Sequence, residues 1–260
     1  MESENSADGS SLRCDVLLFV ATSSEKEKLK EAAGELELSF VKKSGGSFRY
    51  YDLGQVGTYK VMAVRCEMGP FSFDGSAARA LAAQRETRAT ALISVGMAFG
   101  VDRGRQKLGD VLISKTLLPY DNRTITCSDG NVTTDFGKVR AYEAKPSLLN
   151  MLEAYRASGE FQPGVEFGAL LTGGARIHCA RFRDQLKDEL KERGGEVVGG
   201  EMEGAGLIAT CPEDSPNWVL VKGISDFADS QRDEEVEIGR PLACKNSALF
   251  VLTALKNFNP

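Results

Sequence analysis

The chain has 260 residues, 37 acidic against 32 basic side chains, a formal net charge of −5 and 42% hydrophobic residues. That length suits one large domain with a substantial core, and the mild acidity leaves no electrostatic footprint for nucleic acid or an anionic membrane. Six scattered cysteines, Cys14, Cys66, Cys127, Cys179, Cys211 and Cys244, form no C-x-x-C pair and no cluster with the single histidine, His178, which argues against a zinc site and a disulfide-stapled secreted module.

The opening MESENSADGSS is acidic and polar and lacks the apolar centre of a signal peptide, so residues 1–12 read as a disordered leader and 13–260 as the folded domain. No run approaches the roughly 20 apolar residues of a membrane span, so a cytoplasmic location is expected. CDVLLFVAT predicts a buried strand, and SSEKEKLKEAAG a helix with a serine cap that runs to Gly34. FRYYDLGQV and YKVMAVRCEMG, split by Gly57 and Thr58, predict a hairpin, and DGSAARALAAQRET a helix. ATALISVGMAFG and GDVLISKTLLPY follow as strands, while the polar, Thr-rich stretch from Asp121 to Tyr142 reads as a loop or lid.

KPSLLNMLEAYRAS predicts a helix, VEFGALLTGG a strand, CARFRDQLKDELKER a helix and GEVVGG a short strand. EMEGAGLIATC is expected to be a helix beginning at its glutamates, NWVLVKGISD a buried strand with Trp218 in the core, and PLACKNSALFVLTALKNF a final helix. The alternation gives a single α/β domain with a twisted mixed central sheet flanked by helices, without internal repeat or interior linker.

In open α/β sheets ligands bind where strands end. SVGMAFG, VVGGEMEG and VKGISDFAD each deliver glycines, for close backbone approach, beside a polar or acidic group. Each is weak alone. Glu201 and Glu203 would also suit the positive end of a helix dipole, at about 0.3–1 kcal/mol per charge. The glycine spacing from Gly96 to Gly100 fits neither the dinucleotide nor the P-loop pattern.

In succession, VGMAFG, GDVLIS, GGEMEGAG and GISDFAD resemble the purine nucleoside phosphorylase and nucleosidase superfamily, in particular the bacterial branch that cleaves methylthioadenosine and S-adenosylhomocysteine. The resemblance runs from Asp15 to Phe258 and implies cleavage of the N-glycosidic bond of a nucleoside or nucleotide, by water or phosphate, on a sheet that partly closes on itself. It gives Glu203 the ribose hydroxyls, since one carboxylate has acceptors for both donors of a cis-diol. Met202 would lie against the sugar, and Glu201 and the strand end at Gly96 and Met97 near the nucleophile.

Asp226 would share its proton with purine N7, neutralising charge that builds on the leaving base. A free aspartate titrates at about 3.9, so this role needs a dry pocket, which Ile224 and Phe227 would help to provide, with Ser225 orienting the acid. Glu25 is expected to activate water, with Glu27 as the alternative register. A glutamate in a first helical turn is also common for structural reasons.

Phosphorylases of the superfamily carry an arginine just before the VG strand end and a hydroxyl after it. Here those positions are Ser94 and Met97, which favours water. In TGGARIHCA, Arg176 and Ile177 stand where the nucleosidase branch reads adenine with an aromatic ring, and a guanidinium also stacks on a base. Arg123, Arg181 and Arg183, with the arginines of VDRGRQK, are surface candidates for a 5′-phosphate.

The chain also resembles nucleoside-cleaving effector modules of multidomain immune-type proteins, some acting on ATP. That implies possible excision from a larger chain. The expected activity is a purine nucleosidase acting on methylthioadenosine, S-adenosylhomocysteine, adenosine or ATP, as a homodimer or larger homo-oligomer, without metal or organic cofactor. A purine or uridine nucleoside phosphorylase and an inactive nucleoside-binding module are the alternatives. His178 reads as a hydrogen-bonded structural residue.

Overall fold

The most apolar runs of the chain become the centre of one sheet. In the computed structural model, which describes residues 12–45, 48–210 and 217–258, β1 (Val16–Val20) is buried throughout and pairs in parallel with β4 (Tyr59–Arg65) and β5 (Ala91–Gly100). Residues 1–11 of the expected leader and Cys211 lie outside the described residues. β5 in turn pairs in parallel with β12 (Asn217–Asp226), which runs antiparallel to β6 (Val111–Pro119). β10 (Val165–Thr172) lies parallel to β6 and to β11 (Val197–Glu201), while β3 (Phe48–Val56) and β2 (Val41–Gly45) extend the other edge from β4 as antiparallel strands.

β11 then returns to β5, pairing Gly199 with Gly100 and Gly200 with Phe99. The strands β5, β12, β6, β10 and β11 thus close a ring, which is the partial closure expected from the sequence. Glycine makes the contact possible. A Cβ on Gly199 would lie 2.5 Å from the Phe99 carbonyl oxygen, and one on Gly200 would enter the Phe99 ring.

Side chains of β1 alternate between two cores, as a strand's period of two requires. Val16, Leu18 and Val20 pack with Leu29 of α1 (Ser23–Glu35), Leu152 of α3 (Pro146–Ser158) and Val251 of α6 (Arg232–Asn257). Leu17 and Phe19 face Ala80 and Ala83 of α2 (Ser76–Thr87) and Leu207 of α5 (Gly204–Ala209). A third cluster seats Leu186 and Leu190 of α4 (Ala180–Gly194) on Leu118, Leu171 and Val197. Trp218 is buried as expected.

Four local expectations need correction. The cap of α1 is Thr22, not a serine; its hydroxyl accepts the Glu25 N–H in a capping box. The stretch from Asp121 to Tyr142 is no loop: β7 (Thr124–Ser128) and β8 (Asn131–Asp135) form a ribbon, and β9 (Tyr142–Glu143) pairs with β6. Asp129 and Gly130, both at positive φ, make its turn, and Asp-Gly between Thr-rich segments was the overlooked signal.

α5 starts at Gly204, after both glutamates, because Glu201 is still bonded in the sheet opposite Thr172. α6 starts at Arg232 rather than Pro241. Asp233, Glu234 and Glu235 in its first turn favour that start through the helix dipole, and the proline is carried inside the helix. β2, which lies outside the elements expected from the sequence, adds an edge strand. Among the described residues no helix is long and apolar enough to cross a membrane.

α6 lies almost backbone to backbone on β12, because a Cβ on Gly223 would meet the Ala243 backbone and one on Gly239 the Ser225 backbone. Backbone cannot rotate aside, so Gly223→Ala is expected to cost about 1–3 kcal/mol. Thermal unfolding should show a melting temperature lower by about 2–4 °C per kcal/mol; an unchanged value would contradict this packing.

Candidate active site

The ends of β1, β5, β11 and β12 open onto one cleft enclosing about 740 Å³ of space, part of it open to solvent. Nine of the ten residues singled out from the sequence line it: Glu25, Met97, Arg176, Ile177, Glu201, Met202, Glu203, Ser225 and Asp226. Gly96 is the exception. It stands behind the wall at φ +155°, where a Cβ would run into the Glu25 carboxylate, so its part is to leave room for that side chain.

Glu25 is buried while Glu27 is exposed and paired with Lys26. The Glu25 carboxylate accepts the N–H groups of Ala21 at 2.6 Å, Thr22 at 2.8 Å and Met97 at 3.1 Å. One side chain thereby ties the first strand's end to the end of β5. Burial pushes this carboxyl above its ordinary range, Lys222 opposes that and Glu203 adds to it.

Glu201 and Glu203 owe their burial to Lys222, a residue the sequence reading missed. Its side chain is 1% exposed, with Nζ 3.0 Å from Glu203 Oε2 and 3.6 Å from Glu201 Oε2. Burial alone would lower this ammonium; Glu203, Glu201 and Glu25 more than reverse it, so Lys222 stays charged. The available signal was a lysine inside the apolar run WVLVKGISD, where an unpaired charge would be prohibitively expensive.

The two glutamates differ in use. Glu201 spends its oxygens on the N–H groups of Glu203 at 2.8 Å and Gly204 at 3.0 Å, anchoring the start of α5. Burial pushes it up to about 7 despite Lys222. Glu203 keeps more capacity: besides Lys222, Oε1 has a long contact of 3.5 Å to the Gly69 N–H, and its backbone is fixed by Ser76.

At the end of β12 the pairing with β5 slips between Ile224 and Asp226, leaving Ser225 as the extra residue of a bulge. The bulge lets neighbours that would normally face opposite ways both reach the cleft. Asp226 is 4% exposed. The Ser225 hydroxyl lies 2.8 Å from Asp226 Oδ2 and 3.2 Å from the Ala98 carbonyl, and the Ala228 N–H donates to Asp226 Oδ1 at 2.9 Å. Burial raises the Asp226 carboxyl against these hydrogen bonds and against Arg232, whose Nε is 3.5 Å away. Ile224 and Phe227 are both buried beside it, as the sequence suggested.

The surface arginines named from the sequence are placed elsewhere. Arg103 forks onto Asp229 and Glu235, Arg105 binds Asp102 and Glu196, and Arg183 donates to the Phe227 carbonyl. Arg123 lies by Asp121, and neither it nor Arg181 lines the cleft. Arg176 does, with Nη2 3.4 Å from the Met68 sulfur. Arg232 and Arg240 line it too. His178 is exposed, with Nδ1 3.9 Å from Asp233, and is not part of the wall. Among the described residues no group of three or more His, Cys, Asp or Glu is placed to hold a metal.

The chain is similar to known proteins to different degrees. The sequence profile of the phosphorylase superfamily matches residues 15–256. The chain is 26% identical over 209 residues to a 5′-methylthioadenosine/S-adenosylhomocysteine nucleosidase of Mycobacterium bovis, covering 73% of this chain and 78% of that one. It is 24% identical over 179 residues to a death domain-containing ATP nucleosidase of Amphimedon queenslandica, covering 62% of this chain but 32% of that one. In three dimensions it is similar to the 5′-methylthioadenosine/S-adenosylhomocysteine nucleosidase of Neisseria meningitidis in complex with methylthio-immucillin-A, with a TM-score of 0.75, 23% identity, and 93% and 98% of the two chains covered.

Removing one partner of a buried ion pair leaves the other charge uncompensated. Lys222→Met is therefore expected to cost about 3–5 kcal/mol at neutral pH, read from urea unfolding. The sign with pH follows from Glu201, whose native carboxyl holds its proton up to about 7 against an ordinary 4.5. Stability from that group is present below 4.5 and is lost as pH rises through 7. Without Lys222 the loss grows, so the gap between variant and wild type should widen from pH 5 to pH 8. A gap independent of pH would refute the ion-pair account.

Proposed function

The chain belongs to the phosphorylase superfamily, and on that premise we propose that it is a purine nucleosidase, hydrolysing the N-glycosidic bond of an adenine nucleoside or nucleotide to free adenine and the ribosyl product. The observation that carries this reading is the presence in one cleft of two buried carboxyls with raised proton affinity, Glu25 and Asp226, beside a third carboxylate, Glu203, held by a buried lysine.

With the base at Asp226, the protonated carboxyl donates to N7 as the bond from C1′ to N9 breaks and its electron pair moves into the ring. Ser225 and the Ala228 N–H fix that carboxyl. Positive charge develops on the sugar, and water attacks C1′ while Glu25 takes its proton. The three N–H groups on Glu25 hold it in place, and its burial raises its proton affinity above that of an ordinary carboxylate. Glu203 accepts the 2′ and 3′ hydroxyls, and Lys222 orients it. Met202 gives the sugar an apolar wall, and Arg176 and Ile177 border the base.

Water is favoured over phosphate because Ser94 is buried in β5 and Met97 spends its N–H on Glu25. As part of the same proposal the protein works in the cytoplasm, consistent with the free thiols of Cys14, Cys66 and Cys244, and as a homodimer or larger assembly. Phe71 and Phe73, exposed by 77% and 96%, stand on the same connection as Met68 of the cleft and support a partner subunit there.

Chromatography of the products from adenosine, methylthioadenosine, S-adenosylhomocysteine and ATP in phosphate-free buffer tests the reading. Adenine should appear, and Asp226→Asn and Glu25→Gln should each lower kcat by about 10²–10⁴-fold. Adenine released only with phosphate present would make the protein a phosphorylase, and binding without release a nucleoside-binding module.

A further inference from the structure

We propose that Phe99 is a substrate-binding residue that receives the face of the base, its ring serving as the platform on which a purine lies while Asp226 holds N7. This rests on the nucleosidase reading above and concerns the plane of the leaving base, which a hydrogen bond at one edge does not fix.

Three strand ends meet here in one row. The partner of Phe99 is Asp226 where β5 pairs with β12, and Gly200 where β5 pairs with β11. Neighbouring strands lie about 4.8 Å apart, so the acid, the ring and the glycine stand side by side, and all three line the cleft. The ring extends over Gly200, where a Cβ would collide with its outer carbon atoms. Phe99 is half-buried against the core cluster that contains Ile177 and Ala228, so the ring is held in place while part of it still faces the cleft.

Among the described residues, Phe99 is the one aromatic side chain in the cleft wall. Phe227, next to Asp226 in the chain, is buried, carries the Arg103 guanidinium 4.5 Å over its ring and does not line the cleft. Arg176 presents a planar group too, but its Nη2 is 3.4 Å from the Met68 sulfur. Aromatic rings offer a purine a broad apolar face, and stacking on them tolerates any exocyclic group because every base has such a face. Recognition therefore divides: Asp226 reads an edge, and Phe99 sets the plane and supplies base affinity that is indifferent to the edge.

The test measures equilibrium binding of adenine and hypoxanthine, with kcat and KM for adenosine in phosphate-free buffer, for the wild type, Phe99→Leu and Phe99→Tyr. Phe99→Leu should weaken both bases by a similar factor, about tenfold or more, and raise KM by that factor with kcat changed less than about threefold. Phe99→Tyr, which keeps the ring, should bind and turn over like the wild type. Binding and KM that stay put in Phe99→Leu, a loss confined to adenine, or a tyrosine variant as impaired as the leucine one overturns the proposal.

Nuclear Overhauser contacts in the wild type decide the matter without a variant. With adenine bound, its ring C–H protons should show contacts to phenylalanine ring protons, which of the described cleft wall Phe99 alone can give. Their absence overturns the proposal, as does adenine that does not bind. Failure to release adenine from any nucleoside would sink the glycosidase reading instead, and adenine binding that depends on Phe99 would still establish the platform.

Discussion

A single buried ammonium organises this molecule's working end. Lys222 sits on β12, the last strand in the chain, fully enclosed, and two glutamates at the end of β11 and just past it converge on it. Desolvating one such charge costs several kcal/mol, so none of the three is tolerable without the others. The cluster therefore fixes the relative positions of β11, β12 and the start of α5. It also decides which carboxylate is spent on architecture, Glu201, and which retains capacity for a ligand, Glu203.

The rest of the site is arranged by backbone devices. A bulge turns Ser225 and Asp226 into the same cleft, a capping box holds Glu25 under the first strand, and Gly96 makes space behind it. Each carboxyl consequently has a different environment. Glu25 accepts three N–H bonds near a lysine, Glu201 caps a helix, and Asp226 is bordered by Ile224, Phe227 and an arginine. Chemically identical groups can take different roles because their surroundings push their proton affinities by different causes.

Much of this was legible beforehand, for identifiable reasons. Apolar runs such as VLLFV and WVLV have few alternatives to a buried strand, and the motifs around Glu203 and Asp226 lie at strand ends, where side chains from distant segments meet. Glu25 was legible as a first-turn glutamate, but that it is buried while Glu27 is exposed required knowing which side of α1 faces the sheet. Lys222 escaped because a lysine in a strand is informative only once its partners are known to be within reach. Arg232 and Arg240 escaped because Pro241 looked like a helix start, and the residues before it had no assigned element. Local propensity was overruled there by packing of α6 on Gly223.

The ring of strands is closed by just two residue pairs, Gly199 with Gly100 and Gly200 with Phe99, and neither glycine of β11 has a side chain to reinforce them. A seam so short is a natural first place for the domain to open locally. Glu201 follows it immediately, with Glu203 two residues on, while the strand across the seam lies beside Asp226. A ligand gripped by Glu203 and Asp226 together would act as a clasp across that seam. Occupancy of the cleft would then slow amide exchange at the junction of β5 and β11, and binding energy would reappear as resistance of the whole barrel to unfolding.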